Sequence, residues 1–599
     1  MSVEISNEKL IPMLKKLWGH LSSKRRLQFV LLLILMILSA FAEVISLGAI
    51  IPFLSILMMP DKFFNNTYVV KFSSLIGILS TNQLLTVFTI SFAVLVFISG
   101  GIRILLLWLT TRFSYDTGAD LSLIAYRRTL YQSYQIHLSR NSSDVISSIT
   151  NKVNGVAFGI LLSTLNVVSS SILLIAITLT MIFINAKIAF IASFSFGVSY
   201  LIITFIFRMK LRANSKLISI EQTRVIKALQ EGLGGIRDVL LDSTQDVYCD
   251  IYSKADKPLR RATGNNLFIA QGPRYLMETF GILLIVLLSF YLSKTPGGIA
   301  MAMPTLGALA LSAQRLLPSL QMVYGSWASI VGSIDALIDT LKMLEIPIHS
   351  SHLSITQMEF KEKIAFKDVC FKYSELESLV LNKLSFEIPK GTKVGFIGST
   401  GSGKSTTLDI LMGLLTPNSG NILIDGHVLN EENRKGWQKN LAHVPQSIFL
   451  ADTTIMENIA FGVPFNEINI DRVKLAAKQA QISDFIEAKA LGYQSLIGER
   501  GVQLSGGQRQ RIGIARALYK DANILIFDEA TSALDNSTEQ SVMNSIENLS
   551  NDFTIILIAH RLSTLKHCDF VVELENGMVK DIGTYERIVQ KNEPQKNGI

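Results

Sequence analysis

The sequence predicts two joined parts, a membrane all-α domain of six helices followed by a cytosolic α/β domain. Three observations predict it. The 599 residues are 49% hydrophobic and only 17% charged, and the mean hydropathy of +0.37 is too apolar for a chain with all its surface in water. The long apolar runs all end before Ile346. Beyond that point a glycine-rich run, Gly398-Ser399-Thr400-Gly401-Ser402-Gly403-Lys404-Ser405-Thr406, follows a short apolar strand, Lys393 to Ile397. A chain this long exceeds one core. We therefore divide it into a membrane domain at 1–345, a linker at 346–359 and a soluble domain at 360–599.

A helix needs about 20 apolar residues to cross the hydrocarbon layer, and six stretches qualify: 27–57, 84–110, 157–184, 188–207, 275–293 and 299–322. An even number returns both ends to the same side. Segments 1–26, 111–156 and 208–274 carry 23 Lys and Arg, against 4 in 58–83, 185–187 and 294–298, so the first set is cytosolic by the positive-inside rule. The long cytosolic segments imply helices that continue well past the bilayer. Met1 to Leu21 mixes charge with apolar residues as an amphipathic helix on the membrane surface does, and not as a cleavable signal does. It also places the first span too near the start for a preceding protease domain. The net charge of +8 flanks the apolar spans, which is a membrane pattern and excludes a nucleic-acid partner. Cys249, Cys370 and Cys568 have no metal-ligand spacing and read as free thiols.

Charges inside spans are costly and normally face a cavity or a partner. Glu43, Arg103, Glu278 and Arg315 are such charges, and Arg274 opens the fifth span. Two readings stand. Either Glu43 or Glu278 pairs with an arginine to hold the bundle together, or Arg103, Arg274 and Arg315 line a cavity and bind an anionic group, for which the guanidinium fork suits phosphate.

In the soluble half the glycine-rich run fits the phosphate loop of P-loop domains, with its strand before and a helix from Ser405 to Leu415 after it. Gly398, Gly401 and Gly403 let the backbone curl around phosphates, Lys404 reaches the β and γ phosphates, and the Ser405 hydroxyl ligates Mg2+. Asn523 to Phe527 is a second apolar strand, ending in Asp528 for the magnesium shell and Glu529 to polarise an attacking water.

Downstream of the loop lies Leu504-Ser505-Gly506-Gly507-Gln508. With the phosphate loop and the acidic strand, this run resembles the ATP-binding-cassette (ABC) transporter family. The resemblance implies further roles. Gln446 matches the Q-loop that senses magnesium and γ-phosphate, His560 the switch histidine, and Tyr373 the aromatic that stacks on adenine. Ser532 to Asp535 matches the D-loop, and Glu499-Arg500-Gly501 the exporter X-loop. The Ser505 to Gln508 run would close over ATP held by the phosphate loop of an opposite subunit, so two chains must associate, most simply as a homodimer. Spans fused ahead of the cassette resemble exporters, whose coupling helices would lie near Ile136 to Asn141 and Gly234 to Val239.

A narrower resemblance rests on Phe41-Ala42-Glu43-Val44-Ile45-Ser46 with Pro52-Phe53, Arg103-Ile104-Leu105-Leu106, Pro273-Arg274-Tyr275 and Arg315-Leu316-Leu317-Pro318. These are similar to the bacterial flippase that moves lipid-linked oligosaccharides for protein glycosylation. It implies that the arginines handle a lipid pyrophosphate and that Asn66 to Leu79 forms an external helix. The expectation is a half-transporter of the cytoplasmic (inner) membrane that uses ATP and Mg2+ to flip a lipid-linked oligosaccharide or glycolipid. The alternatives are export of a peptide, drug or simple lipid, and an ATP-gated channel or regulator. The spans exclude a soluble ABC ATPase.

Overall fold

The computed structural model describes residues 10–49, 53, 81–293, 316–347, 358–374, 376, 378–529, 540–542, 544, 553–558 and 562–592. The chain divides into two compact units, Met1–Gln132 with Arg140–Ile348, and Ser133–Ser139 with His349–Ile599.

The first unit is helical. It contains α1 (Leu10–His20), α2 (Ser23–Gly48), α3 (Thr81–Leu130), α5 (Ser142–Ser147), α6 (Ser163–Gly234), α7 (Ile236–Leu241), α8 (Gln245–Gln271) and α9 (Pro273–Ser293), then α10 at 316–332 and α11 (Ile334–Glu345). The short α4 (Tyr134–Ser139) belongs to the second unit. Four stretches among the described residues are long and apolar enough to cross a membrane: Ser23–Ser46, Leu85–Leu130, Ser142–Phe183 and Ser193–Gly234. They overlap the first four expected spans. The helix α9 coincides with the fifth, while most of the sixth and the expected external helix at Asn66 to Leu79 lie outside the described residues. At 1.5 Å per residue the 50 residues of α3 run about 75 Å, more than twice the hydrocarbon thickness. Its second half carries Asp116, Asp120, Arg127 and Arg128, as a helix leaving the bilayer should.

One expectation is corrected. The connection at 185–187 is itself helical, inside α6, because the chain from Ser163 to Phe196 holds neither glycine nor proline to break it. The amphipathic start buries part of its apolar stripe inside the unit, while Ile11 and Trp18 stay exposed. In α1, Met13 and Leu17 are buried with Leu121, Ala125 and Leu341, and full burial of such side chains is worth about 1.5–3 kcal/mol each.

After α5 the chain gives way to two π-helical stretches, Ser148–Lys152 and Gly155–Leu162. Gly159 lies against Ser333, where the helical path breaks, and a Cβ there would come within 2.1 Å of Ser333 Oγ. Beside this contact Lys152 Nζ donates to Asp339 at 2.9 Å and Asp144 at 3.4 Å, and Ser219 Oγ donates to Asp339 at 2.7 Å. Helices α5, α6 and α11 and the π-helical stretch thus meet at one charged node.

The second unit holds two sheets. One orders β2 (Leu381–Pro389), β1 (Lys363–Phe371), β4 (Ser419–Ile424) and β5 (His427–Val428), all antiparallel. The other orders β10 (Met578–Gly583), β9 (Phe570–Glu575), β3 (Lys393–Ile397), β8 (Thr554–Ile558), β7 (Ile524–Asp528) and β6 (Leu441–Val444). From β9 to β6 the neighbours run parallel, and only β10 is antiparallel to β9. Strands β7 and β8 are continuous apolar runs because parallel strands are covered on both faces. Three helices complete the frame used below: α12 (Lys404–Leu411), α13 (Ile470–Gln479) and α14 (Gly506–Tyr519).

Candidate functional site

Strand β3 lies between β8 and β9, and its C-terminal edge is level with that of β7: Phe396 and Asp528 both pair with Ile558. Ligands of open α/β sheets bind outside such strand ends. The chain leaves β3 through Gly398 at φ 152°, turns at Ser399–Ser402 with Ser402 N donating to Ser399 O at 3.1 Å, and enters α12 from Gly403 at φ 99°. Thr400 and Gly401, the latter at φ 86°, form the bend between. Two of these glycines are required by space as well as by φ. A Cβ on Gly398 would come within 2.3 Å of Leu574 O, and one on Gly403 within 2.6 Å of Leu381 Cδ2. The helix ends early, at Leu411 instead of Leu415, because Gly413 turns left-handed at φ 67°.

The side chains of this loop are engaged with one another. Lys404 Nζ donates to the carbonyls of Gly398 at 2.8 Å and Ser399 at 3.0 Å. Burial pulls its ammonium below the ordinary lysine range, against the opposing pull of Glu529 and Asp528. Burial, then the neighbouring Glu529 charge, push the Asp528 carboxyl up, with Lys404 opposing. Glu529 sits in the left-handed region at φ 52°, with its N–H on Ile558 O at 3.0 Å and its carboxylate receiving Gln446 Nε2 at 2.5 Å. The Ser402 hydroxyl is buried without a partner.

Tyr373 stands edge-on to Phe371, centroids 5.0 Å apart, and its hydroxyl meets Thr406 Oγ1 at 3.0 Å. Its ring is therefore tethered to the first turn of α12. Gln135 of α4 reaches the Tyr373 carbonyl at 3.4 Å. Sequence reasoning placed a coupling helix at 136–141 but missed this contact. It also missed Asp409, whose carboxyl is pushed up to about 6 by burial and by Asp528. An acid between Leu408 and Ile410 in an apolar helix was the available signal.

Ser505 caps α14. Its hydroxyl accepts from Gln508 N at 3.3 Å while Gln508 Oε1 accepts from Ser505 N at 2.9 Å. Leu504 is buried in the core. Gly506 opens on a cavity of about 580 Å3 shared with Gln446, Phe449, Arg500 and Arg509. The structure thus brings Gly398–Thr406, Asp528, Glu529, Gln446 and Tyr373 together. Among the described residues, Ser505 and Gln508 hydrogen-bond each other and not the phosphate loop. His560 and the expected D-loop at 532–535 lie outside the described residues.

In the helical unit Arg103 Nη1 approaches Glu43 Oε1 at 3.5 Å, and Arg274 Nε donates to Glu278 at 2.8 Å one turn along α9. Arg103 borders a cavity together with Glu43. Arg274 is exposed on its helix, and Arg315 lies outside the described residues. All three cysteines are free thiols.

Residues 381–532 match the ABC transporter family. The chain is 38% identical over 284 residues to the leukotoxin translocation ATP-binding protein LktB of a Pasteurella haemolytica-like species, covering 47% of this chain and 39% of that one. It is 38% identical over 277 residues to the ATP-dependent lipid A-core flippase of Alkalilimnicola ehrlichii, covering 46% and 47%. The chain thus spans less than half the length of these curated relatives. A solved bacterial Atm1-family ABC exporter with ATP bound superposes with a TM-score of 0.77 at 23% identity, over 95% of this chain and 96% of that one. The family match lies within the second unit and the fold likeness extends over nearly the whole chain: residues 381–532 form an ABC transporter domain, and the chain has the fold of that exporter.

Proposed function

We propose that the protein is an ATP-driven exporter that works as a homodimer in the cytoplasmic membrane. One observation carries this reading: the chain owns a complete phosphate loop and a Ser505-capped helix start that does not reach it. A second copy supplies the missing half. Lys404 exchanges the Gly398 and Ser399 carbonyls for phosphate oxygens, and Tyr373 offers its tethered ring to adenine. Ser405, Gln446 and Asp528 would hold Mg2+, which supplies charge neutralisation at the phosphates. The residues fit such an ion, since Asp528 is a desolvated carboxyl beside a second acid and gains from a cation. Gln446 releases Glu529, which then orients and polarises the attacking water, with His560 against the γ-phosphate. Closure of the two cassettes around ATP moves the long helices and changes the face to which the membrane cavity opens.

The cargo we favour is a lipid-linked oligosaccharide or related glycolipid, with Arg103, Arg274 and Arg315 on the pathway. The flippase of Alkalilimnicola supports an amphiphilic lipid, whereas the leukotoxin translocator favours the second reading, a peptide cargo. The test of the ATP reading is Glu529→Gln. It should bind ATP, accumulate as a closed dimer on size-exclusion chromatography and lose turnover; hydrolysis at the wild-type rate refutes the role given to Glu529.

A further inference from the structure

A cavity of about 200 Å3 lies among α2, α3, α6 and α10, lined in part by Ser39, Glu43, Arg103, Asn166, Ser169 and Ser170. Polar groups within membrane spans normally find partners inside the bundle. Thr110 on the same wall does so, its hydroxyl donating to the carbonyls of Leu106 at 2.8 Å and Leu107 at 3.0 Å. Glu43 does so too: its carboxylate is only 3% exposed and accepts from Ser99 Oγ at 3.1 Å and from Arg103 at 3.5 Å. Among the described residues, the side chains of Ser39, Asn166, Ser169 and Ser170 have no hydrogen-bond partner. Three hydroxyls and a carboxamide, donors and acceptors alike, therefore face a hole in the bundle unspent. Arg103 is half-exposed and touches Glu43 through one long contact, so most of its donor fork is open to an anion.

We propose that this cavity receives the head group of the exported amphiphile, and that the head is hydroxyl-rich and anionic. Its hydroxyls pair with Ser39, Asn166, Ser169 and Ser170, and a phosphate oxygen takes Arg103. The unspent groups decide the chemistry. An ammonium head would need Glu43, which already holds two donors, whereas the hydroxyl and amide wall has none. The volume is roughly seven times the liquid share of one water, which admits a single ring-sized polyol and leaves a lipid tail or further sugars outside. This inference rests on the export reading above.

The experiment compares retention of phosphatidylinositol, phosphatidic acid and phosphatidylethanolamine by the purified full-length protein, scored by native mass spectrometry. Even one or two net hydrogen bonds predict about tenfold preference for phosphatidylinositol over phosphatidic acid, so at least that factor is expected. The Ser169→Ala/Ser170→Ala variant should lose most of that preference, and Ser169→Thr/Ser170→Thr should keep it. Should the alanine pair fail to fold, Asn166→Ala is read in the same way. Equal retention of the two anionic lipids, an alanine variant with unchanged preference, or strongest retention of phosphatidylethanolamine each overturns the site. ATP-dependent protection of labelled lipid in reconstituted vesicles separates the two readings. Movement without head-group preference removes the site alone, and preference without ATP-driven movement removes the export reading.

Discussion

Removing the Lys152 charge should destabilise the helical unit less than removing Asp339, although the two form one pair. With Lys152→Met, Asp339 loses its 2.9 Å donor but keeps Ser219 at 2.7 Å and Lys342 at 3.3 Å, so the cost falls at the low end for a broken buried pair, about 3 kcal/mol. With Asp339→Asn, Lys152, whose side chain is 5% exposed, keeps a neutral amide oxygen and, as its only anion, Asp144 at 3.4 Å, so the cost moves toward ~5 kcal/mol. The double variant leaves no charge stranded and should cost less than the sum of the two by about 2 kcal/mol. Chemical unfolding of the purified protein in one fixed detergent mixture measures all three. Additivity within about 0.5 kcal/mol, or a costlier Lys152→Met, refutes the reasoning. The pair also has a pH signature. Burial pushes the Asp339 carboxyl up, but Lys152, with help from Ser219 and Lys342, outweighs that and holds it below the ordinary value of 3.8. A depressed carboxyl contributes stability above its unfolded value and loses it as pH falls through the folded one. The gap between wild type and Lys152→Met should therefore narrow below about pH 4.

Two further outcomes are expected. Tyr373→Phe keeps the ring on Phe371 but loses the Thr406 tether, a neutral hydrogen bond worth about 0.5–1.5 kcal/mol, so ATP affinity should fall about two- to tenfold in a fluorescent-nucleotide titration. An unchanged affinity means that the tether does not place the ring. Arg103→Ala, Arg274→Ala and Arg315→Ala should slow movement of a pyrophosphate lipid in vesicles more than they slow basal ATP hydrolysis; normal movement by all three removes the anionic-head hypothesis.

What the sequence made legible divides by the range of the interaction responsible. The phosphate loop, the acidic end of β7 and the cap of α14 are local patterns, in which a glycine at positive φ or a Ser505/Gln508 pair fixes its own surroundings. The spans are legible for the same reason, since about 20 apolar residues carry their own signal. The burial of α1 was not legible, because Met13 and Leu17 face the same way whether the stripe meets lipid or Leu121. Nor was the Lys152 node, whose members Ser219 and Asp339 come from helices far apart in the chain. Asp409 was hidden in another way. Its carboxyl is unusual only because the strand end carrying Asp528 packs beside it, and spacing along the chain gives no measure of that distance.

The two glycine-containing helix starts of the second unit differ in what they leave open, and the proposed homodimer rests on that difference. Every helix begins with four N–H groups that its own carbonyls cannot satisfy, and the dipole gathers positive potential there. At α12 the capping residue is Gly403, with no side chain to fill that role, so the amides of the first turn stay available to phosphate oxygens beside Lys404. At α14 the same need is met internally, with the Ser505 hydroxyl on the Gln508 amide and the Gln508 side chain on the Ser505 amide. The capping box leaves the Gly506 and Gly507 amides as the open donors of that turn, and glycine places no Cβ between them and an approaching anion. Among the described residues α14 makes no hydrogen bond to the phosphate loop of its own chain. In the homodimer proposed above, each copy would place its glycine amides over the γ-phosphate held by the other. Substituting Gly507 by Ala should therefore weaken ATP-induced pairing while leaving nucleotide binding to the single chain intact, and a loss of both together would mean that α14 serves its own loop after all.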